Sequence, residues 1–250
     1  MIKVDLKSRS IHLMGSTITI SILHEDADSL LDQVFSLLRL YEKRFSANDD
    51  SSELMQINHA AGKHAVCVHP DLFELIELGK KHSLAPDSHL NITLGPLVQT
   101  WRIGFADAKV PSPKEIKQAL ALTDPECIEL DAATSSVFLT MEGMKIDLGA
   151  LAKGYIADKI AAFLRGQGVT SALINLGGNI LTIGLNEKNN RCWWIGIQNP
   201  SLPRGNDLAL LTIQDQSVVT SGIYERKLQV DGRVYHHIFD RTTGYPIDNQ

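Results

Sequence analysis

Apolar and polar positions alternate along residues 11–23, the period-two signature of a half-buried strand. The rhythm then changes. From Asp28 to Arg44 the residues Leu30, Leu31, Val34, Phe35, Leu38 and Tyr41 recur at three- and four-residue spacing, which puts them on one face of a helix. His69-Pro70 opens a second predicted helix that runs through Leu78. Ser112-Pro113-Lys114-Glu115 opens a third, with Pro at the first helical position and Glu where a capping box closes. Three short β-rich runs follow between Cys127 and Leu148, and a helix over 152–165 stops at Gly166-Gln167-Gly168. The remaining pattern predicts strands over 171–176, 180–185, 193–198, 208–213, 217–220, 227–230 and 234–240. Helices in the first half and strands in the second predict an α+β fold, best described as one unit with two lobes. The turn-rich connections 186–191 and 199–206 do not read as domain boundaries.

Composition narrows the function more than the fold. A chain of 250 residues with 44% hydrophobic and 21% charged content can bury one sizeable core or two small ones. Its net charge of -5, with Lys and Arg scattered, argues against an electrostatic grip on nucleic acid or anionic lipid. Cys67, Cys127 and Cys192 are odd in number and far apart, so they outline neither a disulfide framework nor a structural zinc site. Residues 1–10 are polar and lack an apolar signal core, and no apolar run approaches the ~20 residues that span a bilayer. The expectation is a cytoplasmic protein without membrane insertion.

Candidate chemistry is densest near the end of the chain. Thr220-Ser221-Gly222, Tyr224-Glu225-Arg226, Tyr235-His236-His237 and the stretch from Asp240 to Pro246 crowd polar groups between short apolar strands. If the strand runs through them, His236 and His237 point to opposite faces, so at most one of the two serves a given site, and a structural histidine is the usual alternative for either. A near-neutral imidazole there can accept a hydroxyl proton. Upstream, Asp147-Leu148-Gly149-Ala150-Leu151-Ala152-Lys153-Gly154 joins a strand to a helix through small residues, which suits an anion at the positive helix end as well as it suits tight packing. Asn175-Leu176-Gly177-Gly178-Asn179 is a second glycine turn, equally compatible with a plain hairpin. The polar stretch from Ser46 to Glu53 reads as a solvated cap for the helix after it. Asn91 to Leu97, followed by Trp101 to Phe105, mixes core aliphatics with aromatics able to line a planar ligand.

Taken together these segments resemble the ApbE-like flavin transferases. The matching pieces are Met14-Gly15-Ser16, Ser46 to Asn58, Asn91 to Leu97, Trp101 to Phe105, Asp147 to Asp158, Asn175 to Asn179, Thr220 to Arg226 and Tyr235 to Pro246, in that order along nearly the whole chain. The resemblance implies a two-lobed α+β fold with mixed or antiparallel sheets and a flavin cleft between the lobes. It also implies magnesium-dependent transfer of FMN from FAD to a threonine or serine of an acceptor flavoprotein, with AMP released. By the same resemblance His237 is the base, with Asp240 and Thr243 beside it in the catalytic set. Met14, Asn48, Glu53, Asn91, Thr93, Asp147, Lys153, Gly177, Gly178, Thr220, Ser221, Gly222 and His237 are the FAD contacts, Asp158 is a neighbour of the flavin or adenosine, and Ala150 is a metal ligand through its carbonyl.

Three departures from the family pattern stand out. Asn48 occupies a position where many members carry Tyr, Asn91 one where many carry Asp, and Arg241 one where Pro is common. A Tyr at position 48 would stack on a planar ring, whereas Asn admits water, so hydrolysis of FAD to FMN and AMP is the alternative outcome. The chain is expected to be a single domain lacking the family's C-terminal segment, which carries an Asp and a Thr of the metal site. A flavin-binding protein without catalysis is the third reading.

Overall fold

The computed structural model describes residues 5–203, 205–222 and 226–247. Its helices are α1 (Ala27–Phe45), α2 (Glu53–Ala60), α3 (Pro70–Ser83), α4 (Gly95–Trp101), α5 (Pro113–Leu120) and α6 (Ala152–Gly166). Its strands are β1 (Leu6–Leu13), β2 (Ser16–Leu23), β3 (Val66–Cys67), β4 (Ile128–Asp131), β5 (Ser136–Leu139), β6 (Ala172–Leu176), β7 (Asn179–Ile183), β8 (Trp193–Gln198), β9 (Asp207–Ile213), β10 (Ser217–Val219), β11 (Lys227–Val230) and β12 (Arg233–His236). The chain divides into two compact units, each assembled from two segments: Met1–Glu42 with Lys153–Ser221, and Lys43–Ala152 with Gly222–Gln250. Both turn-rich connections of the sequence fall inside the first unit, so neither marks a boundary.

The first unit is organised by an antiparallel sheet in the order β1-β2-β6-β7-β10. Ile18, Ile20 and Ile22 of β2 are fully buried, as are Ala172, Ile174 and Leu176 of β6, the positions that alternation places on one face. Leu30, Leu31, Val34 and Leu38 of α1 and Ile156, Ile160 and Leu164 of α6 are buried in the same way. The separate hairpin β8-β9 buries Trp193, Ile195 and Ile213 against Leu6, Leu173, Ile180 and Val218.

The single strand expected over residues 11–23 is in fact two. The chain reverses at Met14 and Gly15, whose φ values of 52° and 67° match the left-handed pair of a two-residue hairpin turn. The apolar positions step from odd numbers (Ile11, Leu13) to even ones (Ile18, Ile20, Ile22) across the turn, a slip in phase that a single alternating strand over 11–23 does not allow. Glu42 supports it by accepting the Met14 N–H at 2.7 Å.

The second unit contains α2 to α5, the three-stranded sheet β3-β5-β4 and the hairpin β11-β12. The capping box at Ser112 forms as predicted, with the Ser112 hydroxyl accepting the Glu115 N–H and the Glu115 carboxylate accepting the Ser112 N–H. Such a cap stabilises a helix by about 1 kcal/mol. Around Trp101, which is fully buried, Leu97, Ile103, Ile116, Ala119 and Phe239 form a core.

Of the three β-rich runs expected between Cys127 and Leu148, only β4 and β5 pair. Residues 144–148 join no strand, and the backbone bonds of Ile146 and Asp147 go to a side chain and a loop instead of a ladder. Asn58 accepts the Ile146 N–H at 2.8 Å and donates to the Ile146 carbonyl at 3.0 Å, while Asp147 N donates to Ile92 O at 2.8 Å. The strand expected over 234–240 also shortens, because the ladder ends at His236. The opposite-face argument for the His pair therefore does not carry past that residue. No helix of the described residues is long and apolar enough to cross a membrane.

Candidate active site

Two turns of the second unit carry its unusual electrostatics. The first follows the segment that Asn58 holds through Ile146. There Asp147 turns one carboxylate oxygen onto Gly149 N at 2.7 Å. Burial pushes the Asp147 carboxyl above its usual range, although the Gly149 N–H and the charge of Arg226 both pull it down. Asp147 keeps some exposed surface as a residue, and the shift reflects how enclosed its carboxyl group is.

His237 is half-buried at the end of β12. Burial lowers its pKa, the charges of Arg226 and His236 lower it further, and a backbone bond at Arg226 opposes them. The ring is therefore neutral at pH 7. Its Nδ1 is buried with no hydrogen-bond partner among the described residues. Neighbouring His236, 6% exposed, accepts the Ile238 N–H on Nδ1 at 3.2 Å and leaves Nε2 buried and unpartnered. Arg226, whose charge reaches both Asp147 and His237, thus brings the two into one electrostatic neighbourhood.

Asp240 and Thr243 lie on the following turn. The Asp240 carboxylate accepts from the Thr242 N–H at 2.7 Å, the Thr242 hydroxyl at 2.6 Å and the Thr243 N–H at 3.3 Å. The Thr242 hydroxyl and amide hold its pKa below the usual carboxylate range. Asp240 is committed to its own turn, and no hydrogen bond joins it to His237 among the described residues. Thr243 Oγ1 accepts the Tyr245 N–H at 3.4 Å.

In the first unit, Lys153, Gly177, Gly178 and Thr220 are brought together. Lys153 Nζ donates to Ser16 Oγ at 3.0 Å. Gly177 has a φ of 65°, and a Cβ there would lie 2.3 Å from Ser16 Oγ and 3.1 Å from Lys153 Nζ. Gly178, at φ 93°, gives its N–H to Asn175 Oδ1 at 2.9 Å and would meet Thr220 Oγ1 at 3.4 Å. A cation, two hydroxyls and a glycine pair thus meet at one spot, the composition of an anion cradle.

The other predicted residues are dispersed. Asn48 lines an open cleft of about 330 Å³ with Met55, Gln99, Arg102, Phe105 and Lys145, the Arg102 guanidinium standing 4.4 Å over the Phe105 ring. Glu53 follows the N-cap Ser52 and lies 3.8 Å from Arg44. Asn91 and Thr93 are buried and bonded to protein: Asn91 Oδ1 accepts the Thr93 N–H at 2.8 Å and its hydroxyl at 2.6 Å, and Asn91 Nδ2 donates to Thr123 O at 2.7 Å. Met14 occupies the β1-β2 turn. Ser221, Asp158 and Ala150 are exposed and Gly222 is half-exposed. Tyr224 and Glu225 lie outside the described residues. Among the described residues no group of three or more His, Cys, Asp or Glu side chains is arranged to hold a metal.

Residues 14–250 match the model of the ApbE family. The chain belongs to the ApbE family. An FAD:protein FMN transferase of Klebsiella pneumoniae is 46% identical over 97% of this chain and 74% of its own length. One of Treponema pallidum is 39% identical over 88% of this chain and 64% of its own. Among solved structures, the ApbE protein of Thermotoga maritima superposes with a TM-score of 0.87 at 27% identity, covering 97% of this chain and 78% of that one. The flavin transferase ApbE of Vibrio cholerae gives a TM-score of 0.85 at 26% identity, covering 99% and 80%. The α+β architecture with antiparallel sheets is therefore an ApbE fold.

Sequence reasoning passed over two residues of these ApbE neighbourhoods. Ser16 sits in the Met14-Gly15-Ser16 piece, yet only Met14 was expected to act. Arg226 closes the Thr220 to Arg226 piece without a role assigned to it. In each case the signal was adjacency to a recognised turn. The partner across the fold, Lys153 for Ser16 and Asp147 with His237 for Arg226, has no trace in local spacing.

Proposed function

We propose that this chain transfers FMN from FAD to a threonine or serine hydroxyl of an acceptor flavoprotein, releasing AMP. The observation that carries the reading is His237, a half-buried imidazole kept neutral by burial and by the charges of Arg226 and His236. A neutral imidazole has one ring nitrogen free to accept a proton at pH 7, the requirement for a general base. The 46% identity to an FAD:protein FMN transferase supports the substrate class.

The acceptor oxygen attacks the FMN-side phosphorus as His237 takes its proton. The new oxygen–phosphorus bond forms while the bond to the bridging oxygen breaks, and AMP leaves with that electron pair. Arg226 offsets charge near the reacting groups, and the turn amides around Gly149 supply donors. The Lys153, Ser16 and Gly177 cradle is a second place where a phosphate meets a cation and uncovered backbone. The cleft beside Asn48, with Phe105 and Met55 in its lining, suits a planar ring.

Magnesium belongs to the same proposal, and when bound it would neutralise phosphate charge. A hard cation needs a shell of oxygens, and among the described residues no three His, Cys, Asp or Glu side chains cluster to supply it. No step is therefore routed through the ion.

Incubation of the protein with FAD, magnesium and a candidate acceptor, followed by the intact mass of the acceptor, tests the reading. A gain of one FMN supports it. Free FMN and AMP at equal yield with and without acceptor would replace it with FAD hydrolysis, and intact FAD would leave a binding protein.

A further inference from the structure

We infer that Arg241 is a positioning residue that fixes the Asp240–Thr243 turn relative to the Asp147 turn, an inference that rests on the transferase reading for its catalytic consequence. Arg241 lies between the residues placed in the site, yet its side chain leaves that turn. One guanidinium nitrogen, Nη1, donates to three carbonyls: Ser83 at 2.9 Å, Ser88 at 3.0 Å and Leu90 at 3.2 Å. The first ends α3 and the other two lie in the loop that follows it. Ser83 is the last residue of α3, whose terminal carbonyls carry the negative end of the helix dipole, so a fixed cation is favoured there.

That loop leads directly to the Asp147 segment. Ser83 Oγ accepts the Ile92 N–H at 3.0 Å, and Ile92 O accepts the Asp147 N–H at 2.8 Å. Hydrogen bonds thus run without a gap from the Asp240–Thr243 turn through Arg241 and the 83–92 loop to Asp147. All of these residues belong to the second unit.

The far end of the turn is held by different means. Trp101 Nε1 donates to Gly244 O at 3.0 Å, and a Cβ on Gly244 would come within 2.8 Å of Ile116 Cγ2. The turn is clamped at Gly244 by packing and at Arg241 by charge-assisted bonds. Loss of the Arg241 bonds should therefore release its leading half while the core around Trp101 persists. Three carbonyls converging on one nitrogen also distinguish Arg241 from a surface arginine, which gains little from ordering a long side chain.

The test compares wild type, Arg241→Lys and Arg241→Ala in two measurements. Steady-state FMN transfer over a range of FAD concentrations reads function, and amide hydrogen exchange at Thr242, Thr243 and Asp147 reads positioning without requiring activity. In Arg241→Ala, kcat is expected to fall by about 10- to 100-fold, as misplacements near 1 Å do, with KM for FAD changed less than threefold. Exchange at Thr242 and Thr243 should rise more than tenfold, while amides of β2 and β6 stay protected. Arg241→Lys, which keeps a cation within reach of the carbonyls, should recover part of both, and guanidinium ion added to Arg241→Ala should raise its kcat. A folded Arg241→Ala protein with unchanged exchange and kcat within threefold of wild type would overturn the inference. Faster exchange in Arg241→Ala with no transfer by wild type would remove the transferase reading and leave the anchoring role standing.

Discussion

Two groups of buried polar side chains in the second unit behave in opposite ways. Asn58, Ser83, Asn91 and Thr93 are all buried, and each is bonded to backbone or to another member of the group. His236 and His237 each retain a buried ring nitrogen without a partner among the described residues, and Asp147 is held above its usual pKa by burial. The first group resembles any protein interior, where an unmet donor or acceptor costs about 1–3 kcal/mol. The second leaves those costs uncompensated among the described residues. Matched buried polarity builds the scaffold, whereas unmatched buried polarity marks where a ligand or a proton is expected.

Substitutions should separate the groups cleanly. The largest effect is expected from His237→Ala, with transfer to an acceptor falling by about 10²- to 10⁴-fold, the usual contribution of a positioned base. Its thermal midpoint should hold or rise, because a poorly matched buried group is removed. Asn58→Ala should do the reverse. It strands both backbone groups of Ile146 and should lower unfolding free energy by about 1–3 kcal/mol in a denaturant titration. Transfer per folded molecule should fall less than in His237→Ala.

Gly177→Ala probes the glycine cradle of the first unit. The left-handed backbone and the 2.3 Å approach to Ser16 Oγ leave no room for a methyl group. A loss of about 1–3 kcal/mol is expected in the same titration, with weaker FAD binding by calorimetry. Asp147→Asn should have the smallest effect on stability. Asn keeps an acceptor for Gly149 N–H and removes a charge that burial disfavours, so the protein should be unchanged or slightly more stable at pH 7, while transfer drops. Because the folded pKa of Asp147 is raised, its ionisation weakens the wild-type fold as pH climbs from the unfolded carboxylate value through the folded one. Asp147→Asn should flatten that part of the stability profile.

Much of this architecture was legible in the chain. The face of α1, the Ser112 capping box and β8 follow from spacing and propensity, which act over a few residues. The Met14-Gly15 reversal shows in the sequence only as a slip of the apolar pattern from odd positions (Ile11, Leu13) to even ones (Ile18, Ile20, Ile22), a signal that reading residues 11–23 as one strand passes over. The third run after Cys127 has strand composition but spends its hydrogen bonds on Asn58 and Ile92, partners distant in sequence. In the site, His237 stood out by its dense polar setting, and Lys153 and Gly177 by their glycine turns. Asn91 and Thr93, which the resemblance makes FAD contacts, bond to each other and to Thr123, partners that local spacing does not record. Ser16 and Arg226 owe their places to long-range contacts that local spacing does not record.

The central claim is that His237 is a neutral base at physiological pH. Single-turnover FMN transfer to an acceptor, followed by intact mass between pH 5 and 8, tests it directly in wild type and His237→Gln. Since burial lowers the folded pKa, the neutral form should persist below the ordinary histidine value, and the wild-type rate should fall only at a pH under about 6.5. The variant should be slow and lack that acid limb. A variant that transfers FMN at the wild-type rate, or that keeps the same acid limb, would contradict the account.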